Sequence, residues 1–181
     1  MKSKENIQEL FFDYPTKRWC FEELLKEGKL SRAQTNAWLR KLTKEKFIKK
    51  IKLKGKRPYY VSNYNNVAYK NKKRIFALNK LYQIGFLNHL YSLKKAKIII
   101  LFGSFSRCDW YKDSDVDIFI YGDPEGLNIG KYEIKLHKDI QLFICKNKKE
   151  LNKLGKDLVN NIIKGYVVKG DLGELLNAKI S

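Results

Sequence analysis

Two carboxylates, Asp115 and Asp117, stand one residue apart at the head of the apolar run Val116-Asp117-Ile118-Phe119-Ile120. Side chains alternate along a strand, so the two acids share one face while Val116, Ile118 and Ile120 point into a core on the other. Like charges held side by side are costly until a cation sits between them. A hard divalent ion such as Mg²⁺ is the natural partner, because it prefers oxygen ligands and bridges to phosphates. Upstream, Gly103 and Ser104 follow a short β-branched run, Ile98-Ile99-Ile100-Leu101-Phe102, which suits a fully buried strand. Glycine lets a phosphate approach the backbone closely, and a helix beginning there aims its N–H groups at an anion. A phosphate seat and a metal seat at one sheet edge suit phosphoryl or nucleotidyl transfer by two metal ions. The plainer alternative for the same letters is a surface turn with two solvated aspartates after a core strand.

Gly103-Ser104, ten intervening residues and then Asp115-Val116-Asp117 resemble the signature of the DNA polymerase β-type nucleotidyltransferase superfamily. The likeness is strongest to its minimal nucleotidyltransferases of archaea and bacteria, and it covers roughly the C-terminal half of the chain. The resemblance implies that Gly103 and Ser104 hold the β- and γ-phosphates of a nucleoside triphosphate. Asp115 and Asp117 would then ligate Mg²⁺ or Mn²⁺, a hydroxyl would attack the α-phosphate in line, and pyrophosphate would leave. Arg107 sits where it would clamp the triphosphate or, alternatively, form a surface salt bridge. The family carries a third carboxylate on a later strand. Here that strand reads Lys138 to Ile144, and the aligned position is Gln141. Asp139 lies two residues earlier on the same face. Either Asp139 takes the third place or the third ligand is lost, with Glu133 on the preceding strand a further substitute. Without a third acid, the domain would bind nucleotide and turn over slowly or not at all.

These residues need elements to position them. Residues 65–95 read as one long connecting helix, with Ile75, Leu78, Tyr82 and Leu90 near a 3.6 period and Gly85 weakening its middle. After the catalytic strands, Lys148 to Ile163 reads as a single helix capped by Gly165. A short strand at Tyr166 to Val168 and a last helix from Leu172 to Ala178 follow.

The first third of the chain reads as a separate module. Ile7, Leu10 and Phe11 mark a helix stopped by Pro15, and Phe21 to Glu27 marks a second, ended by Gly28. Ser31 caps a third, running to about Lys46. Thr35, Leu39 and Leu42 share one face of that third helix, and Ala33, Asn36, Ala37, Arg40 and Lys44 share the other. Phe47 to Leu53, a basic turn with Lys54, Lys56 and Arg57, and Tyr59 to Val61 form a hairpin. Three helices and a hairpin resemble the winged helix-turn-helix of archaeal and bacterial regulators. The resemblance implies DNA contacts from Arg32, Asn36, Arg40 and Lys44 on the recognition helix and from Lys56 and Arg57 on the wing. A winged helix used only for protein contacts is the alternative.

The expected fold class is therefore α+β. A winged helix-turn-helix at 1–64 and a connecting helix at 65–95 precede a polymerase β-like domain at 96–181 that has a mixed sheet with helices on one side. The formal net charge of +19, from 38 basic and 19 acidic residues in a chain of 181, implies a polyanionic partner such as DNA or RNA. A lysine-rich proteome is the alternative source of that excess. Cys20, Cys108 and Cys145 lack metal-ligand spacing and suggest free thiols in a reducing, cytoplasmic compartment. The N-terminus lacks a signal-peptide shape, and no apolar run has the length of a membrane span. Two functions follow. One is a nucleotidyltransferase that moves a nucleoside monophosphate, AMP foremost, onto a hydroxyl of RNA, protein or a small molecule. The other is a DNA-binding transcription regulator whose degenerate nucleotidyltransferase half senses nucleotide without turnover. The family resemblance adds a HEPN-type ribonuclease toxin as a protein partner, and the connecting helix offers a seam for a homodimer.

Overall fold

The structure, a computed structural model, describes residues 6–174. Two compact units make up the chain. One holds the residues up to Lys73 with Trp110–Lys112, and the other holds Arg74–Asp109 with the residues from Asp113 on.

In the N-terminal unit, α1 (Asn6–Asp13) buries Ile7, Phe11 and Phe12 and ends two residues before Pro15. Helix α2 (Phe21–Gly28) opens on a reciprocal cap, in which Cys20 Sγ accepts from the Glu23 N–H and the Glu23 carboxylate accepts from the Cys20 N–H at 2.9 Å. The expected glycine stop is corrected here. Gly28 is the last helical residue, and the left-handed cap is Lys29, at φ 50°. The glycine is needed for close packing instead, because a Cβ there would stand 3.0 Å from Ile7 Cγ1. Helix α3 (Arg32–Lys44) stops two residues short of the expected end and begins with a Ser31–Gln34 capping box. Its Thr35, Leu39 and Leu42 are buried, while Ala33, Asn36, Ala37, Arg40 and Lys44 are exposed.

Strands β2 (Ile48–Ile51) and β3 (Tyr59–Ser62) pair antiparallel, as the hairpin pattern predicts. A strand the sequence did not announce, β1 (Trp19–Cys20), adds to the other edge of β3, giving the order β1-β3-β2. The inner sheet face carries Trp19, Ile48, Tyr60 and Ser62, all buried. Trp110, only 2 % exposed, belongs to this unit's core, with its ring centroid 6.3 Å from that of Phe12. Lys73 is fully buried beside it and donates to the carbonyls of Phe12 at 2.9 Å and Trp110 at 2.5 Å.

The expected single connector is two helices, α4 (Val67–Gln83) and α5 (Phe86–Ser92), because Gly85 adopts φ 81°. The C-terminal unit is built on a four-stranded mixed sheet of order β6-β5-β4-β7. Its strands are β4 (Ala96–Phe102), β5 (Val116–Gly122), β6 (Ile140–Cys145) and β7 (Tyr166–Lys169). Only β5 and β6 run parallel, and such a pair needs a crossover. Helix α7 (Gly130–Leu136) lies in that crossover, where the sequence suggested a strand. The expected helix over 148–163 is also two, α8 (Lys148–Lys153) and α9 (Lys156–Ile163), separated at Leu154-Gly155. Gly165 is again a glycine of close approach rather than a left-handed cap, since a Cβ there would lie 2.5 Å from Ile100 Cγ2. Of the expected last helix, 172–174 are helical and the rest lies outside the described residues.

One sheet face, with Ile98, Ile100, Phe102, Phe119 and Cys145, packs on Leu151 of α8 and Ile162 of α9. The residues of the opposite face, Ile99, Leu101, Val116, Ile118 and Ile120, are buried as well. Both faces of the central strands are therefore covered. Central strands buried on both faces read as continuous apolar runs, as β4 does.

Candidate active site

Strand β4 delivers its last residue, Phe102, opposite Asp117 of β5. At the next residue the chain turns sharply. Gly103 has φ 68° and opens α6 (Gly103–Arg107). The Asp117 side chain lies directly on this glycine, and a Cβ there would be 1.9 Å from Asp117 Oδ2 and 2.7 Å from its Cγ. No side chain fits the space, and the backbone is one that L residues rarely adopt. The Ser104 backbone N–H lies on the side of the same carboxylate and favours its charged form. The two sequence signatures therefore touch.

Burial, and then the negative charge of Asp115, push the Asp117 carboxyl above the usual carboxylate range; Arg107 and the Ser104 N–H oppose them. Burial leads and the neighbouring like charge adds to it, and a bound cation would relieve both. Asp115 itself is exposed, one residue before β5 begins.

Arg107, on α6, holds Asp109 at 3.0 Å through Nε and reaches the Asn161 side chain at 3.2 Å through Nη1. The sequence reading did not anticipate this contact of Asn161 with Arg107, and nothing in its local pattern marks it. On β6 the parallel register pairs Gln141 with Asp117. Asp139 lies outside the strand and is exposed, and its carbonyl accepts the Val116 N–H at 2.9 Å. Among the described residues, no three His, Cys, Asp or Glu side chains gather closely enough to hold a metal ion, so Asp139 does not join Asp115 and Asp117 in such a group. Glu133 is corrected outright. It sits on helix α7 rather than on a strand, and its carboxylate accepts the Ile140 N–H at 3.0 Å, pinning the start of β6.

In the N-terminal unit, Asn36 and Arg40 line a cleft of about 360 Å³ with Thr43, Lys50 and Tyr60. Lys44 is exposed on the same helix, and Lys56 and Arg57 are exposed in the turn between β2 and β3, where Gly55 has φ 73°. Arg32 differs from these, since its guanidinium is committed to Glu22 at 2.9 and 3.2 Å. No helix among the described residues is long and apolar enough to cross a membrane.

Comparison with known proteins fits this geometry. No curated protein matches the chain significantly. A solved structure described as a toxin-antitoxin with AMP-PNP is similar at 20 % identity over 61 % of this chain and 82 % of that one, with a TM-score of 0.36. A superposition so loose carries neither partner nor acceptor across. The model of the nucleotidyltransferase domain family matches residues 83–177, just over half of the chain. That span takes in the Gly103 turn, both carboxylates and the paired strands that hold them, and the chain belongs to the nucleotidyltransferase domain family.

Proposed function

We propose that this protein transfers a nucleoside monophosphate, AMP foremost, from a nucleoside triphosphate to a hydroxyl acceptor. The observation that carries the reading is the Asp117 carboxylate seated on the bare backbone of Gly103. A surface turn with two solvated aspartates has no need of that packing.

The donor set fits a hard divalent cation. Asp115 and Asp117 supply carboxylate oxygens, and their mutual repulsion favours a cation between them. When bound, Mg²⁺ or Mn²⁺ would neutralise triphosphate charge and polarise the reacting phosphate. The chain's own residues do the rest. Gly103 gives the phosphates room at the turn, and the Ser104 hydroxyl donates to them. Arg107, steadied by Asn161, adds positive charge beside the site. Asp115 and Asp117 would hold the cation through their carboxylate oxygens. Gln141 occupies the place beside Asp117, and its amide oxygen is a weaker ligand than the family's third acid.

We place a winged helix-turn-helix at 1–64, the connecting segment at 65–95 and the catalytic domain at 96–181. The exposed face of α3, with Asn36 and Arg40 lining one cleft, suits a DNA groove. Lys44, Lys56 and Arg57 would add phosphate contacts, whereas Arg32 serves its bond to Glu22 first.

A second reading rests on Gln141. With an amide where an acid activates the nucleophile, the domain would sense nucleotide without turnover, and the protein would be a DNA-binding regulator. One experiment separates the two: transfer from α-labelled ATP, with Mg²⁺ or Mn²⁺, into RNA and protein extract, against Asp115→Ala with Asp117→Ala. Label in one macromolecule, lost in the double variant, establishes the transferase and its acceptor class. ATP binding with no label from any nucleotide establishes the sensor.

A further inference from the structure

The three-stranded sheet of the N-terminal unit has two unlike faces. Its inner face is buried, and side-chain alternation sends the other set outward. Lys49, Ile51, Tyr59 and Val61 alternate in the paired strands with the inward Ile48, Tyr60 and Ser62. With Arg18 before β1 and Tyr64 and Asn65 after β3, the outward set lines an open concavity of about 330 Å³. This face is distinct from the α3 cleft, whose Lys50 and Tyr60 point the other way.

Three features identify a ligand. The first is aromatic surface, because Tyr64 is 47 % exposed and Tyr59 lies partly open on the same face. The second is charge, because the lining has two cations, Arg18 and Lys49, and no acid. Arg18 has no ion pair among the described residues. Its guanidinium lies 5.4 Å from the Tyr59 ring centroid, extending the planar surface. The third is shape. The hollow is near the lower end of the range for small-ligand pockets, and it admits one flat group rather than the rim of a duplex. Aromatic faces interleaved with cations, on an open sheet, bind single strands by stacking unpaired bases and tracking phosphates.

We propose that the outer face of the β1-β3-β2 sheet is a second nucleic-acid site, which takes an unpaired nucleotide of a single strand. The base stacks on Tyr59 and Tyr64, and the flanking phosphates meet Arg18 and Lys49. The exposed Asn65 amide at the rim reaches a base edge. This site is independent of the catalytic reading, and of duplex binding by α3.

The test is fluorescence anisotropy on the full chain, with short labelled single-stranded RNA, the DNA of the same sequence, and duplex DNA. Tyr64→Ala should weaken single-strand binding about fivefold or more, and Tyr64→Phe should retain it. Lys49→Ala should reduce the slope of log affinity against log salt by roughly one on the same ligands. Duplex binding should be unchanged in all three variants. The RNA and DNA arms decide which single strand is preferred, and binding of either supports the site. Tyr64 and Lys49 are both exposed, so neither change empties the core, and melting curves confirm folding. The proposal is overturned if the parent binds no single strand, if Tyr64→Ala and Lys49→Ala bind single strands as the parent does, or if they weaken duplex and single strand alike.

Discussion

Gly103→Ala tests the joint between the two signatures. The new methyl would meet Asp117 Oδ2 at 1.9 Å, in a backbone held at φ 68°. To reach ordinary contact, the carboxylate must retreat by about 1.5 Å. The retreat moves it away from the Ser104 N–H, which favours its charged form. The left-handed backbone adds about 1–2 kcal/mol for any residue with a Cβ. Asp117 regains solvent as it moves, which offsets part of the loss, so the net cost is about 1–2 kcal/mol. In a chain of this size, that lowers the melting temperature by roughly 2–8 °C.

The effect on transfer is larger. Displacing a group that orients the reacting atoms by about 1 Å costs on the order of 100-fold in rate. Folded Gly103→Ala protein should therefore transfer label from ATP at no more than about one-hundredth of the parent rate. Thermal melting and α-labelled ATP transfer measure the two effects on the same preparation. A variant that melts like the parent and transfers within about tenfold of it would refute the argument, because the carboxylate would then not need its place on the glycine.

Three other outcomes are expected. Gln141→Asp, which puts a carboxylate in register with Asp117, should lower the Mg²⁺ concentration needed for half-maximal transfer or nucleotide binding; no change, by metal titration, would show that the third position lies elsewhere. Lys73→Met, which strips the donor from the buried carbonyls of Phe12 and Trp110, should destabilise the chain by about 2–4 kcal/mol, read by urea unfolding. His89 accepts the Asn128 N–H on Nε2, and burial, followed by the charge of Lys131, holds it below the usual histidine range. Below about pH 6.5 the unfolded chain therefore takes up a proton the folded chain refuses, and stability present above that pH is lost as pH falls; melting curves across this window should flatten in His89→Gln.

The parts of the site carried by local pattern could be read from the sequence. The β-branched run of β4, the Gly-Ser turn and the alternating acids of β5 each declare themselves within a few residues, and pairing Phe102 with Asp117 brings them together. What depended on distant packing could not be read. Helix α7 reads Gly-Lys-Tyr-Glu-Ile-Lys-Leu, whose Tyr and Ile suit a strand equally well, and only burial of Tyr132 and Leu136 selects the helix. Short two-residue β1 carries no periodicity at all. Gly28 and Gly165 looked like helix stops, yet each is small because a neighbouring element presses on it. Breaks at Gly85 and Leu154-Gly155 split helices whose apolar stripes run on through them.

The third ligand shows how register limits what alternation alone can say. Asp139 and Gln141 share a face by spacing, so either could have stood for the missing acid. The parallel pairing of β5 with β6 is more specific. It sets Gln141 beside Asp117 and fixes the backbone of Asp139 against Val116, before the strand begins. One strand step on the same face is about 6.6 Å, longer than an aspartate side chain can span toward an ion held on Asp117. Asp139 therefore neighbours the exposed Asp115 end of the pair. If catalysis requires a full carboxylate on the inner side, this chain must supply it from a partner or substrate, or else use its Asp117 seat to bind nucleotide alone. The metal dependence of Gln141→Asp separates these two uses of one scaffold.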